Sequence, residues 1–236
     1  MSKKGEPVSR GIAFIGGEGP PPDLCRAVFE EAALGGKFPL TAAADSGLLA
    51  AEAAGLRPDW ILGDMDSLGE LSRLDSYPPE RVLRYGPEKD YTDTELALAL
   101  LWEKGCNELW ILGGGGGRLD HLLALRSLFE RDPCPVRWIT AAEDLRCLKA
   151  PAEFSLSLLP GGLVSVFPLG DGPWEAESAG LKWPLAGLPW DRGFFGLSNV
   201  AEEGSFTLRV KRGRFLAVWP LASVLFSAGF RGRAAG

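Results

Sequence analysis

The chain is predicted to combine α/β with all-β architecture: an N-terminal, parallel-sheet, three-layer α/β domain followed by a small antiparallel β-sandwich. Three observations carry this. Short apolar runs alternate with helical patterns through the first 140 residues, the signature of βαβ units. Helical periodicity fades near Ala150, after which short strand-like runs punctuated by proline and glycine take over. Acidic residues and a run of five glycines fall just past the ends of the predicted first-half strands, where open α/β sheets bind ligands. At 236 residues the chain suffices for two compact units of roughly 100–150 residues each. We expect the division at 1–150 and 151–236.

Residues 11–15 form the first predicted strand, closed by Gly16 and Gly17; Asp23 is the expected N-cap of a helix ending at Gly35 and Gly36. Residues 41–44 and 60–62 are the next strands, separated by an alanine-rich helix that stops at Gly55. The best-signalled helix is 93–104. Thr92 and Glu95 make a Ser/Thr-x-x-Glu capping box, Lys104 suits the C-terminal dipole and Gly105 ends it. A strand at 108–112, an apolar helical pattern at 119–129 and a strand at 136–140 complete about five repeats. In the second half, strands are expected at 154–160, 163–168, 205–210 and 214–219, with 160–162 and 211–213 as hairpin turns.

Composition excludes several function classes. The net charge of −6 and a pI near 5.0 leave no basic stripe to neutralise a nucleic-acid backbone. The cysteines, Cys25, Cys106, Cys134 and Cys147, contain no CxxC pair for zinc or redox chemistry and read as buried thiols of a reducing compartment. No apolar core follows Lys3, Lys4 and Arg10 as in a secretory signal, so a cytoplasmic location without membrane or nucleic-acid partners is expected. The most apolar window, 215–230, is too short to span a bilayer and contains Pro220; it is read as core strands. The single histidine, His121, rules out multi-histidine metal sites.

The chemistry concentrates in a few loops. Asp64-Met65-Asp66 places two carboxylates two positions apart, pointing the same way in an extended segment, where they can share a hard oxygen-loving cation such as magnesium. The plainer alternative is one turn-capping and one solvated aspartate. Asp45, Asp90, Asp93 and Asp120 follow other strands; at a helix start, Asp93 and Asp120 also suit the dipole. The run 113–117 followed by Arg118 offers backbone N–H groups and a guanidinium fork suited to phosphate, or else is only a flexible connector. It matches neither GxGxxG nor the Walker pattern. Lys89 beside Asp90 reads by default as a solvated pair.

Taken in order, Ala44-Asp45-Ser46-Gly47, Gly63-Asp64-Met65-Asp66-Ser67, Lys89-Asp90-Tyr91-Thr92-Asp93, Gly116-Gly117-Arg118-Leu119-Asp120-His121, Gly180-Leu181-Lys182-Trp183-Pro184-Leu185 and Leu197-Ser198-Asn199 resemble the thiamine pyrophosphokinase family. The resemblance implies transfer of a pyrophosphoryl group from ATP to the hydroxyl of thiamine, giving thiamine diphosphate and AMP, by a magnesium-dependent homodimer with its thiamine site at the interface. It implies Asp64, Asp66 and Asp93 as metal and catalytic carboxylates, with Arg118 and Asp120 also catalytic. Asp45, Lys89, Asp90, Thr92, Gly117 and Arg118 would face ATP, and Trp183, Ser198 and Asn199 would face thiamine. Two positions depart from the family pattern: Ser46 replaces a second glycine, and Leu125 an asparagine. A related pyrophosphokinase acting on a hydroxymethyl pterin, a metal-dependent glycosyltransferase and a non-catalytic nucleotide or thiamine sensor stay open as alternatives.

Overall fold

The structure is a computed structural model that describes residues 8–86, 88 and 90–224. It divides into two compact units, Met1–Ala141 and Ala142–Gly236. Residues 225–230 of the apolar window lie outside the described residues.

In the first unit, six strands, β1 (Arg10–Phe14), β2 (Leu40–Ala44), β3 (Trp60–Gly63), β4 (Val82–Arg84), β5 (Glu108–Leu112) and β6 (Arg137–Ile139), form a parallel sheet in the order β6-β5-β1-β2-β3-β4. The central strands β1, β2, β3 and β5 bury nearly every side chain, as strands covered on both faces must. Four helices connect them: α1 (Pro22–Glu31), α2 (Gly47–Ala53), α3 (Asp93–Glu103) and α4 (Leu119–Ser127), the last continued by a 3-10 turn, Leu128–Glu130. Right-handed crossovers place α1 and α2 on one face of the sheet and α3 and α4 on the other, because the chain reverses direction across the sheet between β4 and β5. The capping box at α3 is present as expected: the Thr92 hydroxyl accepts from the Glu95 N–H at 3.2 Å and the Glu95 carboxylate accepts from the Thr92 N–H at 2.9 Å. Asp23 is not an N-cap. Proline at the first helical position starts α1 two residues earlier, so Asp23 sits inside the first turn, where it serves the dipole. Strand β4 carries no alternating pattern over its three residues and was not legible in the sequence.

The second unit packs two antiparallel sheets. One has the order β11-β9-β13-β7, from β7 (Glu143–Lys149), β9 (Gly162–Leu169), β11 (Gly196–Ala201) and β13 (Arg214–Pro220); the other has the order β10-β12-β8, from β8 (Ala152–Ser157), β10 (Glu175–Ala179) and β12 (Ser205–Arg212). Alternating side chains of both sheets, among them Val164, Val166, Phe206, Leu208, Phe215 and Trp219, make the core, with Phe154 stacked on Trp219 at 5.5 Å. The two expected hairpins are corrected. The turns at 160–162 and 211–213 join β8 to β9 and β12 to β13, but β8 pairs with β12 and β13 pairs with β7 and β9, so each turn carries the chain from one sheet to the other. Strand β7, on the first side of the expected boundary, belongs to the second unit.

Candidate active site

The order β6-β5-β1-β2-β3-β4 puts the topological switch point between β1 and β5, and the loops leaving these two strands meet there. The Gly114 N–H donates to the Gly16 carbonyl at 2.8 Å, and Glu18 and Gly115 exchange both backbone bonds at 2.7 and 2.9 Å. Gly113, with φ +111°, has no space for a side chain, since a Cβ would lie 2.3 Å from the Ile15 carbonyl oxygen. The run is therefore a closely packed wall and not a flexible connector. The N–H groups of Gly113, Gly114 and Gly115 are bonded to backbone carbonyls, which leaves the Gly116, Gly117 and Arg118 end as the part that can address phosphate.

Opposite stand the acids at the ends of β2 and β3 and at the start of α3. Asp45 adopts φ +45°, and its Oδ1 accepts from the Met65 N–H at 3.3 Å. Gly63 makes this placement possible: a Cβ there would sit 1.8 Å from Asp45 Oδ1. Ser46, the first departure from the family pattern, has φ −61° and so needs no glycine; its N–H donates to Ser67 Oγ at 3.0 Å. Burial first, then the hydrogen bond and negative charge of Asp93, push the Asp45 carboxyl up to about 7, against the Met65 N–H. A hydrogen bond between two carboxyls requires one of them to be protonated. The charge of Asp64, together with a hydrogen bond from the same residue, raises the Asp66 carboxyl as well, and the Asp66 N–H donates to Asp64 Oδ1 at 3.1 Å. Carboxylates crowded in this way repel one another, and a divalent ion fits their chemistry. Among the described residues, no group of three or more His, Cys, Asp or Glu side chains is preassembled around a metal position.

These loops enclose a cleft of about 650 Å³. Asp45, Asp66, Thr92, Asp93, Gly117 and Arg118 line it, as the sequence led us to expect. Asp64 is half-buried beside Asp66 and is not among the lining residues, and neither is the exposed Asp90. Lys89 lies outside the described residues. Asp120 faces Arg118 and not the cleft: its two oxygens accept from Arg118 Nε, at 3.1 Å, and Nη2, and the guanidinium holds its carboxyl below the usual range. The residue expected to be catalytic is thus placed against Arg118 and is not among those that line the cleft. Leu125, the second departure, is buried in the cleft wall against the glycine loop.

Several lining residues were missed. Glu18 belongs to a loop whose Pro-rich sequence carries no chemical signature. Glu95 was read only as a cap, yet it also accepts from Arg131 Nη1. Burial raises the Glu95 carboxyl, but the Thr92 and Arg131 donors outweigh it and hold it below its ordinary value. A spacing signal exists for Arg131: with Arg118, His121, Leu125 and Leu128 it recurs every three or four positions.

In the second unit, Trp183 is 54% exposed, with Lys182 Nζ 4.9 Å from its ring centroid, so it is not a core tryptophan. Ser198 is exposed on β11 with φ +54°. Asn199 is buried: its Oδ1 accepts from the N–H groups of Trp183 and Val200 at 3.1 and 2.8 Å, and its Nδ2 donates to the Trp183 carbonyl at 2.6 Å. It is a clamp that fixes the Trp183 segment, not an amide open to a ligand.

Fold and site together define a two-unit enzyme class, a parallel α/β unit with acids facing a glycine loop, followed by a β-sandwich. Solved structures of thiamine pyrophosphokinases share this fold. The one from Bacillus subtilis superimposes with a TM-score of 0.71 at 23% identity, over 92% of this chain and all of the other. Those from Geobacillus thermodenitrificans and Candida albicans give TM-scores of 0.66 and 0.65 at 24% and 15% identity, over 93% and 90% of this chain and 100% and 89% of theirs. Residues 33–133 match the family described as thiamin pyrophosphokinase, catalytic domain. The Bacillus subtilis (strain 168) thiamine pyrophosphokinase is 30% identical over 146 residues, 60% of this chain and 68% of that protein. The chain belongs to the thiamine pyrophosphokinase family.

Proposed function

We propose that the protein transfers a pyrophosphoryl group from ATP to the hydroxyl of thiamine, releasing AMP. The observation that carries this reading is the meeting, at the switch point of a parallel sheet, of three carboxylates, Asp45, Asp66 and Asp93, with a glycine loop that ends in Arg118. Phosphoryl chemistry needs positioning and charge neutralisation, with no protein nucleophile. Arg118, oriented by Asp120, grips phosphate oxygens, and the N–H groups at the Gly117 end of the loop complete the cradle. Asp64, Asp66 and Asp93 are the residues that would hold magnesium, a hard cation that prefers oxygen ligands. When bound, the ion neutralises the phosphate charge. Asp45, whose carboxyl is pushed up by burial and by its neighbour Asp93, adds less negative charge to the cluster while it keeps its proton. Thiamine is assigned to the second unit, where Trp183 presents an indole face to its cationic and aromatic rings. We further read the working form as a homodimer with thiamine bound at the subunit interface, active in the cytoplasm.

The test is product analysis with ATP, magnesium and thiamine. Thiamine diphosphate and AMP should form in equal amounts, and Asp66→Ala should abolish both while leaving Tm unchanged or higher, because it relieves carboxylate repulsion. AMP formation with a hydroxymethyl pterin in place of thiamine, or nucleotide binding without AMP release, would replace this reading.

A further inference from the structure

We infer that Arg131 binds the nucleobase of the nucleoside triphosphate, stacking its guanidinium face on the base at the apolar end of the cleft. This rests on the nucleotide reading above and adds where the base lies and what holds it.

One face of α4 and its 3-10 continuation lines the cleft through Arg118, His121, Ala124, Leu125, Leu128 and Arg131. From 118 to 131 this face runs roughly 20 Å at a helical rise of about 1.5 Å per residue, enough for a phosphate chain, a sugar and a base laid end to end. Its chemistry changes along the way. The first turn is polar and adjoins the glycine loop, whereas Ala124, Leu125 and Leu128, joined by Ile15 from the end of β1, make an apolar wall with no charge to offer a phosphate. A flat heterocycle fits such a wall, and Arg131 closes its far end.

The two arginines of the cleft differ in what they can offer. Arg118 meets Asp120 through Nε and Nη2 and is itself 75% exposed, so its remaining donors can reach phosphate while Asp120 orients it. Arg131 is paired with Glu95, whose side chain is only 15% exposed and whose other oxygen accepts both the N–H and the hydroxyl of Thr92 at 2.9 Å. Glu95 is fixed by the first turn of α3 and cannot swing away. The charge of Arg131 is therefore met by Glu95, which leaves little attraction for an anion, while its side chain stays 55% exposed. A delocalised cation with a fixed plane stacks on aromatic rings as an ammonium group does not.

The experiment compares binding of two magnesium-loaded ligands by titration calorimetry: α,β-methylene ATP, which carries the base, and tripolyphosphate, which does not. Wild type, Arg131→Ala and Arg131→Lys are measured, with Tm recorded for each. We expect both variants to bind the nucleotide about tenfold more weakly, to bind tripolyphosphate within twofold of wild type, and to keep their fold. Equal weakening of both ligands makes Arg131 a phosphate clamp and overturns the inference. Unchanged nucleotide binding, or wild-type affinity in Arg131→Lys, overturns it as well while leaving the nucleotide reading intact. Wild-type protein that binds tripolyphosphate no more weakly than the nucleotide refutes any base subsite, and wild-type protein that binds neither ligand sinks the nucleotide reading itself.

Discussion

Asn199→Ala is expected to be the most informative change in the second unit, because Asn199 looks in the sequence like a ligand-binding amide and acts in the structure as a clamp. The residue is 4% exposed and its side chain makes three hydrogen bonds, at 3.1 and 2.6 Å to the two backbone groups of Trp183 and at 2.8 Å to the Val200 N–H. At about 0.5–1.5 kcal/mol net for each bond, and with backbone groups left unpaired beside a buried site, the loss should come to roughly 2–4 kcal/mol. For a unit of this size that corresponds to a fall of roughly 10–30 °C in its melting temperature, read by scanning calorimetry. Asn199→Asp should cost at least as much, since it retains the acceptor but loses the donor to the Trp183 carbonyl and buries a charge. Trp183→Ala is the control: its ring is half in solvent, so Tm should hold while the KM for thiamine rises several-fold and that for ATP does not. If Asn199→Ala melts within a degree of wild type and leaves the thiamine KM alone, the clamp argument is wrong.

Three further outcomes are expected. Gly63→Ala should destabilise the first unit by about 3 kcal/mol or more, because its Cβ meets Asp45 Oδ1 at 1.8 Å on a backbone with φ +135°, and Asp45→Ala in the same chain should recover part of the loss in a denaturant titration. The metal-free protein should lose stability as pH rises from about 4 to about 7: over that range the unfolded Asp45 releases its proton while the folded one keeps it, so the folded state binds more protons and the penalty is complete only above about 7. Asp45→Asn should flatten that part of the Tm profile; an identical profile in the variant would refute the assignment. Arg118→Lys should lower kcat/KM for ATP by the equivalent of roughly 1–3 kcal/mol, since a point charge cannot reproduce the two-pronged contact, and unchanged kinetics would remove Arg118 from the phosphate site.

Local order was legible where the signal is local. The Thr92 to Glu95 capping box fixes the start of α3 from four residues, and the five glycines, the paired acids around Met65 and the apolar runs of β1, β2, β3 and β5 place the loops and the strands that carry them. Ligation potential can also be read from residue type, and Asp45, Asp66, Asp93 and Arg118, singled out in this way, all line the cleft. Strand order could not be read in this way. Every buried parallel strand is apolar along its length, so β1 suits β5 as a neighbour as well as it suits β2, and the choice rests on packing across the whole sheet. That choice creates the switch point and so decides which loops share a cleft. It brings Arg131 and Glu18 into the cleft and leaves Asp90 outside. The same limit applies in the sandwich, where alternation marks an inward face but not the partner strand, and both expected hairpins became crossings between sheets. Residue chemistry is written locally and survives in the sequence; the distance between two such residues is set by contacts remote in the chain, and only the folded structure supplies it.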